Sequence, residues 1–465
     1  MDLSPAHNQS LEDLDRENVL HPFTSPAALM EHGPTVMMEG KGARLTDHTG
    51  KVYLDGLAGL WCVNVGYGRQ EIAEAIYEQA KKLPYYHQFS AMGTEPGIHT
   101  ADKVKRLAPG NMARVLFGCS GSDANDTQVK IAWYYNNLKG RPQKKKILAR
   151  NRAYHGVTVA AGSLTGLAYV HTAFDLPLPQ VVRLTCPHYY HEQHPGETEE
   201  AFCDRLVDEL KATIEREGAD TIAAFIAEPV MGAGGVVFPP KGYFEKISKV
   251  LKENDILFIA DEVICGFGRL GTPFGAQYFG FEPDMISVAK GITSGYQPLS
   301  AVLVGEEVWQ TLLEDPLNLN LFGHGYTYTA HPIACAAANA NLDIMEREAL
   351  FANAAETGAY LQAALRKRFG SDPHVGEIRG DGMIAAVELS ADPATRKTFD
   401  PAAGVGKAVA AEAMERGLIV RPMMNDSLAM SPPLMITRDD VDQIVDTLGA
   451  SIDAKRDMIA AAAKA

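Results

Sequence analysis

Asp255-Ile-Leu-Phe-Ile-Ala-Asp261-Glu-Val263 carries an apolar run that stops at a carboxylate, and Met285-Ile-Ser-Val-Ala-Lys290-Gly291 repeats the pattern with an ammonium. Runs this short and this continuously apolar read as strands of a parallel sheet buried on both faces. Open α/β sheets bind ligands at the carboxyl ends of such strands. A charge buried there without a partner is costly, so Asp261 and Lys290 each need one.

Outward from these two runs, strand and helix signals alternate. Arg114–Phe117 reads as a strand and Ser122–Leu138 as a helix; Lys146–Ala149 and Val157–Gly162 continue the series, followed by Thr221–Ala227 and a helix over Gly242–Asn254. Such alternation is the signature of an α/β, doubly wound, mostly parallel sheet. Upstream, a short helix is expected over Leu11–Leu20, a hairpin of Ala43–Asp47 with Lys51–Asp55 about Thr49-Gly50, and a helix over Gln70–Lys82 that ends before Pro84. Downstream, a long helix over Pro332–Glu348 links to a second lobe. That lobe has short strands at Ile378, Met383–Glu388 and Gly417–Val420, and helices over Ala352–Phe369, Gly404–Arg416 and Asp439–Ala460.

At 465 residues the chain exceeds one ordinary core. Its 46% hydrophobic and 22% charged residues are a globular balance. A net charge of -15 argues against binding nucleic acid or an anionic membrane. The one basic run, Lys144-Lys145-Lys146, reads as a solvated loop between helix and strand. Six scattered cysteines without C-x-x-C spacing suggest reduced thiols, and Met1–Pro26 has no apolar signal-like core. A cytoplasmic protein is the expectation.

Gly118-Cys119-Ser120-Gly121-Ser122-Asp123-Ala124-Asn125 falls between a strand and a helix. Small residues there let backbone N–H groups face an anion such as phosphate, aided by the helix dipole. A simpler reading is a loop whose Ser122 or Asp123 caps the helix. Lys290 taken alone is equally open between a solvated strand end and a Schiff base. Support comes from Asp261 and Glu228, which end neighbouring strands. A carboxylate holding a pyridinium nitrogen and a lysine forming an imine are what pyridoxal phosphate chemistry requires. Val263 is positioned against one face of such a ring and Tyr154, in Tyr154-His155-Gly156, against the other.

The chain resembles the class III (omega) aminotransferases of the fold-type I pyridoxal phosphate superfamily. The matching stretches are Gly59–Gly68, Ser120-Gly-Ser-Asp-Ala-Asn125, Tyr154-His-Gly156, Glu228-Pro229, Asp261–Arg269, Ala289-Lys-Gly291, His324–Pro332 and Ser431-Pro-Pro-Leu434. The resemblance implies a large domain with a mostly parallel seven-stranded sheet and a smaller α+β domain. The division expected is a 1–64 segment packing with the small domain, a 65–335 cofactor domain and a 336–465 small domain. It implies that pyridoxal 5'-phosphate is held by Lys290, which then shuttles a proton, with Asp261 on the ring nitrogen. Ser120, Gly121, Ser122, Tyr154, His155, Glu228, Val263, Tyr326 and Thr327 are the further cofactor contacts it implies, Thr327 from a second subunit. A homodimer with shared sites, or a tetramer, follows. For Thr327 a hydroxyl bonding its own backbone is the plainer alternative. Asp123 departs from the family, which more often has Glu there.

The same resemblance places Phe23, Leu60, Trp61, Phe89, Tyr154 and Ala233 around the substrate, with core packing as the alternative for Phe23 and Phe89. Arg421 matches a mobile arginine for the carboxylate of a keto acid, a role suited to a bidentate fork, with a surface arginine as the alternative. The expected reaction is ping-pong transfer from a primary amine or omega-amino acid to a keto acid such as pyruvate. Taurine-, beta-alanine- and diamine-specific enzymes are alternatives, as are an aminomutase or decarboxylase on the same scaffold. His188, His191 and His194 lie in a proline-bounded segment without standard metal spacing, so a polar loop and no metal are expected.

Overall fold

The computed structural model describes residues 9–464, so positions 1–8 of the N-terminal stretch lie outside them. Seven strands form one sheet in the order Met112–Gly118, Ser300–Gly305, Met285–Val288, Leu257–Asp261, Ile222–Ala227, Lys146–Arg150, Val181–Leu184. Pairing is parallel from Met285–Val288 outward to Val181–Leu184. Ser300–Gly305 runs antiparallel to both its neighbours.

Both faces of this sheet are covered, which is why its strands show no polar alternation. Leu257 and Ile259 join an apolar layer with Ala124, Ile131 and Tyr135 of helix Gly121–Leu138. Phe258 and Ala260 enter the opposite layer, with Phe244 and Ile247 of helix Tyr243–Glu253. Each such buried Ile or Phe stabilises the fold by roughly 1.5–3 kcal/mol. Because side chains alternate along a strand, Asp261 is turned toward helix Gly121–Leu138 and Glu262 away from it. Glu262 accepts the Gly275 and Ala276 N–H groups at the start of helix Gly275–Phe279, at 2.9 and 2.6 Å.

Two four-stranded sheets flank the large one. The hairpin Arg44–Asp47 with Val52–Asp55 forms as expected, joined by Met37–Lys41, and its inner strand pairs in parallel with Leu418–Ile419. The other sheet orders Val375–Asp381, Ile384–Leu389, Ser427–Met430 and Arg421–Pro422. Helix Pro332–Arg347 packs on helices Gln70–Lys82 and Glu95–Leu107.

Residues 157–162 lead into helix Val159–Leu164, the helix place of the alternating series, where the Ser163 hydroxyl bonds back to the Val159 carbonyl. The next strand, Val181–Leu184, is one the sequence reading does not mark. Other expectations need correction. The expected helix Asp439–Ala460 is two helices, Arg438–Ala454 and Arg456–Lys464, parted at Lys455. Lys144 is not solvated: it is 4% exposed, and its ammonium bonds the Asp255 carbonyl. His188 and His191 lie not in the expected polar loop but at the start of and within a one-turn helix, Tyr189–Glu192. They pair with Glu377 and Glu388 of the small sheet, whereas His194 is exposed.

Candidate active site

Three adjacent strands deliver the charged residues to one place. Ile222–Ala227 is followed by Glu228, Leu257–Asp261 ends in Asp261, and Met285–Val288 leads through Ala289 to Lys290. With Gly121, Ser122, Asn125, Tyr154, His155, Gly156, Val263 and Ile264 they line a cavity of about 110 Å³. Lys290 has φ +46°, a left-handed backbone that non-glycine residues adopt at a cost and that clusters at functional sites.

Asp261 is held from two sides. Its Oδ2 accepts from His155 Nδ1 at 2.7 Å and from Asn125 Nδ2 at 2.8 Å, and its Oδ1 accepts the Val263 N–H at 3.1 Å. The Asn125 amide also donates to the His155 carbonyl at 2.7 Å, so its orientation is fixed. Burial pushes the Asp261 carboxyl up, but the His155 hydrogen bond and charge, with Asn125 and Val263, outweigh it and hold it below its ordinary value. The carboxylate form is therefore the resting one.

Burial pulls the Lys290 ammonium down, and Arg421 adds to this, against the opposing pull of Asp261, Cys62 and Glu228. Glu228 is pushed the other way, upward by burial, although His155 and Arg150 counter it. Its Oε1 accepts the Tyr154 N–H at 2.9 Å and its Oε2 the Gly232 N–H at 3.1 Å. Glu228 thus positions the ring of Tyr154 through the backbone.

At the other end of the cavity, Ser120 rather than Ser122 or Asp123 is the N-cap of helix Gly121–Leu138. Asp123 completes a capping box, its Oδ2 accepting the Cys119 and Ser120 N–H groups and its Oδ1 the Ser300 hydroxyl. That leaves the N–H groups of Gly121 and Ser122 without a partner among the described residues, at the positive end of an 18-residue helix. Gly156 packs so close that a Cβ there would meet Ser122 Oγ at 2.5 Å.

This donor set fits a group with an anionic end, a basic ring nitrogen and a carbonyl carbon. The two free N–H groups suit a phosphate, the Asp261 carboxylate a protonated ring nitrogen, and the Lys290 amine a carbonyl.

The remaining expected residues are not gathered at the cavity by the single chain. Tyr326 bonds the Thr127 hydroxyl and the Asp123 carbonyl, and the Thr327 carbonyl accepts from Tyr85. Phe23, Leu60 and Phe89 are exposed, Phe23 standing edge-on to Tyr169. Trp61 is buried in an apolar cluster with Ile264, and Ala233 is half-buried in the loop after Glu228. Arg421 lies near enough for its charge to act on Lys290, Tyr154 and Tyr169, and its guanidinium has no partner among the described residues. Asn125, which holds Asp261, is a site residue that the sequence reading leaves without a role. The signal for it was its position four residues past Gly121, one helical turn further along the face that meets the cavity.

Sheet order and strand-end chemistry together define a fold-type I transferase of the pyridoxal phosphate-dependent class. The pattern of the class-III aminotransferases matches residues 27–452. The chain is 49% identical over 444 residues to the diaminobutyrate–2-oxoglutarate transaminase of Halomonas elongata, covering 94% of each. It is 43% identical to gamma-aminobutyrate transaminase 1, mitochondrial, of Oryza sativa subsp. indica, over 98% of this chain and 89% of that one. The omega transaminase from Pseudomonas jessenii, solved in complex with PMP, superposes with a TM-score of 0.95 at 44% identity, covering 97% of this chain and 99% of the other. The chain belongs to the class III aminotransferase family, and it is an enzyme that transfers an amino group from an amine to a keto acid.

Proposed function

We propose that the amine donor is a primary amine or omega-amino acid, that the acceptor is a keto acid such as pyruvate, and that both react in turn at the cavity described above. The observation that carries this reading is the convergence of the Lys290 amine, the Asp261 carboxylate and the free Gly121 and Ser122 N–H groups on one cavity. Pyridoxal 5'-phosphate supplies, when bound, a protonated ring that accepts the electron pair left when the donor loses its proton.

The chain's own residues do the rest. Gly121 and Ser122 anchor an anionic phosphate through their N–H groups. Asp261 keeps the ring nitrogen protonated, and His155 with Asn125 keeps Asp261 ionised. Val263 and Tyr154 flank the ring. Lys290, its pKa lowered by burial, supplies a neutral amine that first holds the cofactor and then takes and returns the proton at the reacting carbon. Arg421 receives the keto acid carboxylate, and Phe23, Leu60, Trp61, Phe89 and Ala233 bound the substituents. Thr327 reaches the phosphate of a second copy, which makes the working unit a homodimer. The exposure of Leu317, Leu319, Leu321 and Phe322 just before Thr327 supports such an interface. All six cysteines are free, which supports the cytoplasm as compartment.

A diamine or omega-amino acid preference with 2-oxoglutarate as acceptor is the second reading, favoured by the relative from Halomonas elongata. Purified holoenzyme mixed with donor alone tests the first. Stoichiometric conversion of bound cofactor to its amine form is expected, and carbon dioxide release without that conversion would mark a decarboxylase. A panel of amines and diamines against pyruvate and 2-oxoglutarate separates the two readings.

A further inference from the structure

One buried guanidinium lies between two segments that flank the cavity. Arg379, in strand Val375–Asp381, is 7% exposed. Its five N–H groups meet a full set of acceptors. Nε and Nη2 donate to the Gly235 carbonyl at 2.8 and 2.6 Å, and Nη2 donates to the Ser427 hydroxyl at 2.7 Å. Nη1 donates to Glu377 Oε2 at 2.7 Å and Glu388 Oε2 at 2.6 Å.

The two ends of this set belong to different parts of the site. Gly235 sits in the loop between Met231 and Val237 that carries Ala233, and Gly232 of the same loop is fastened to Glu228. Ser427 begins the strand paired with Arg421–Pro422, and the Met423 N–H bonds the Ser427 carbonyl at 2.7 Å. Ser427 also donates to Glu388 at 3.0 Å. A short chain of bonds thus runs from the hairpin of Arg421, through Arg379, to the loop that holds Glu228 and so Tyr154.

We propose that Arg379 is a positioning residue for the acceptor half-reaction: it fixes the Arg421 hairpin against the Met231–Val237 loop and so sets where a keto acid carboxylate is received. The inference rests on the reading of Arg421 as the carboxylate-binding group. A planar fork with five fixed donors suits this bridging, and a lysine reproduces only part of it.

The test uses holoenzyme in its amine form, with pyruvate as acceptor and propanal as an acceptor of equal length lacking the carboxylate. For Arg379→Gln the KM for pyruvate is expected to rise at least ~10-fold while propanal kinetics change less than ~3-fold, with Arg379→Lys in between. Ser427→Ala, which removes only the hydroxyl linking guanidinium to hairpin, shifts pyruvate in the same direction. Equal impairment of both acceptors, or an unchanged pyruvate KM, overturns the proposal. If Arg379→Gln does not fold, Ser427→Ala decides it on the same criterion. Arg421→Ala separates the two levels. If it leaves pyruvate kinetics intact, the reading of Arg421 falls and this proposal with it. A pyruvate KM that depends on Arg421 but not on Arg379 or Ser427 overturns only the positioning role.

Discussion

At the scale of single residues, Asp261 shows how an ionised carboxylate persists in a sheet core. Two donors on one oxygen leave the other turned to the cavity, with a single backbone contact. Removing Asn125 by Asn125→Ala leaves a buried anion short of one charge-assisted bond, a loss of about 1.5–3 kcal/mol. The expected outcome is kcat/KM lower by roughly 10- to 100-fold, with the folded protein still obtained. An unchanged kcat/KM would remove Asn125 from the site. Lys290→Ala is expected to lose turnover by a factor on the order of 10³ or more, together with the absorbance band of lysine-held cofactor. Full turnover in that variant would defeat the mechanism.

At the scale of elements, the first turn of helix Gly121–Leu138 depends on what packs against it. Gly156 has φ +128° and touches Ser122, so Gly156→Ala must displace that turn. Cofactor affinity, measured by equilibrium release, is expected to fall at least ~10-fold. Glu388 gives a pH test in the small sheet. Burial raises its carboxyl, but His191 and Arg379 pull it to about 2, below the ordinary 4.5. A depressed folded pKa means that the stability gained from this pairing is complete above the unfolded value. It is lost as pH falls through the folded one, and amounts to about 3 kcal/mol. The thermal midpoint advantage of the natural chain over Glu388→Gln should be clear at pH 6 and shrink toward pH 3; an advantage that does not change with pH contradicts the assignment.

These elements also show what was legible beforehand. The two strand-end charges could be read because an apolar run closing on Asp261 or Lys290 has few soluble solutions. The hairpin about Thr49-Gly50 carried its own turn signal. The strand Val181–Leu184 could not be read, because it is a short, half-buried edge strand interrupted by Arg183. Partners such as Asn125 to Asp261, or Arg379 to Gly235, join residues more than a hundred positions apart, and no local pattern announces them.

At the scale of the whole molecule, the proposed dimer makes a prediction that no single site can. A subunit with Lys290→Ala and one with Thr327→Ala are each expected to form impaired sites. When the two are unfolded together and refolded as a mixture, the heterodimer has one site bearing both changes and one bearing neither. Activity above the mean of the separate proteins is expected. Simple additivity would show that Thr327 serves its own chain.

The parallel pairing of Val52–Asp55 with Leu418–Ile419 has a consequence for how the chain is made. The hairpin emerges from the ribosome early, but the Val52–Asp55 edge stays unpaired until nearly the whole chain has followed. Contacts this distant in sequence slow folding and leave an exposed strand edge in the interval. Assembly of the lobe around that sheet is therefore a late, post-synthetic event, and premature termination before residue 418 should yield a chain that chaperones retain or proteases remove.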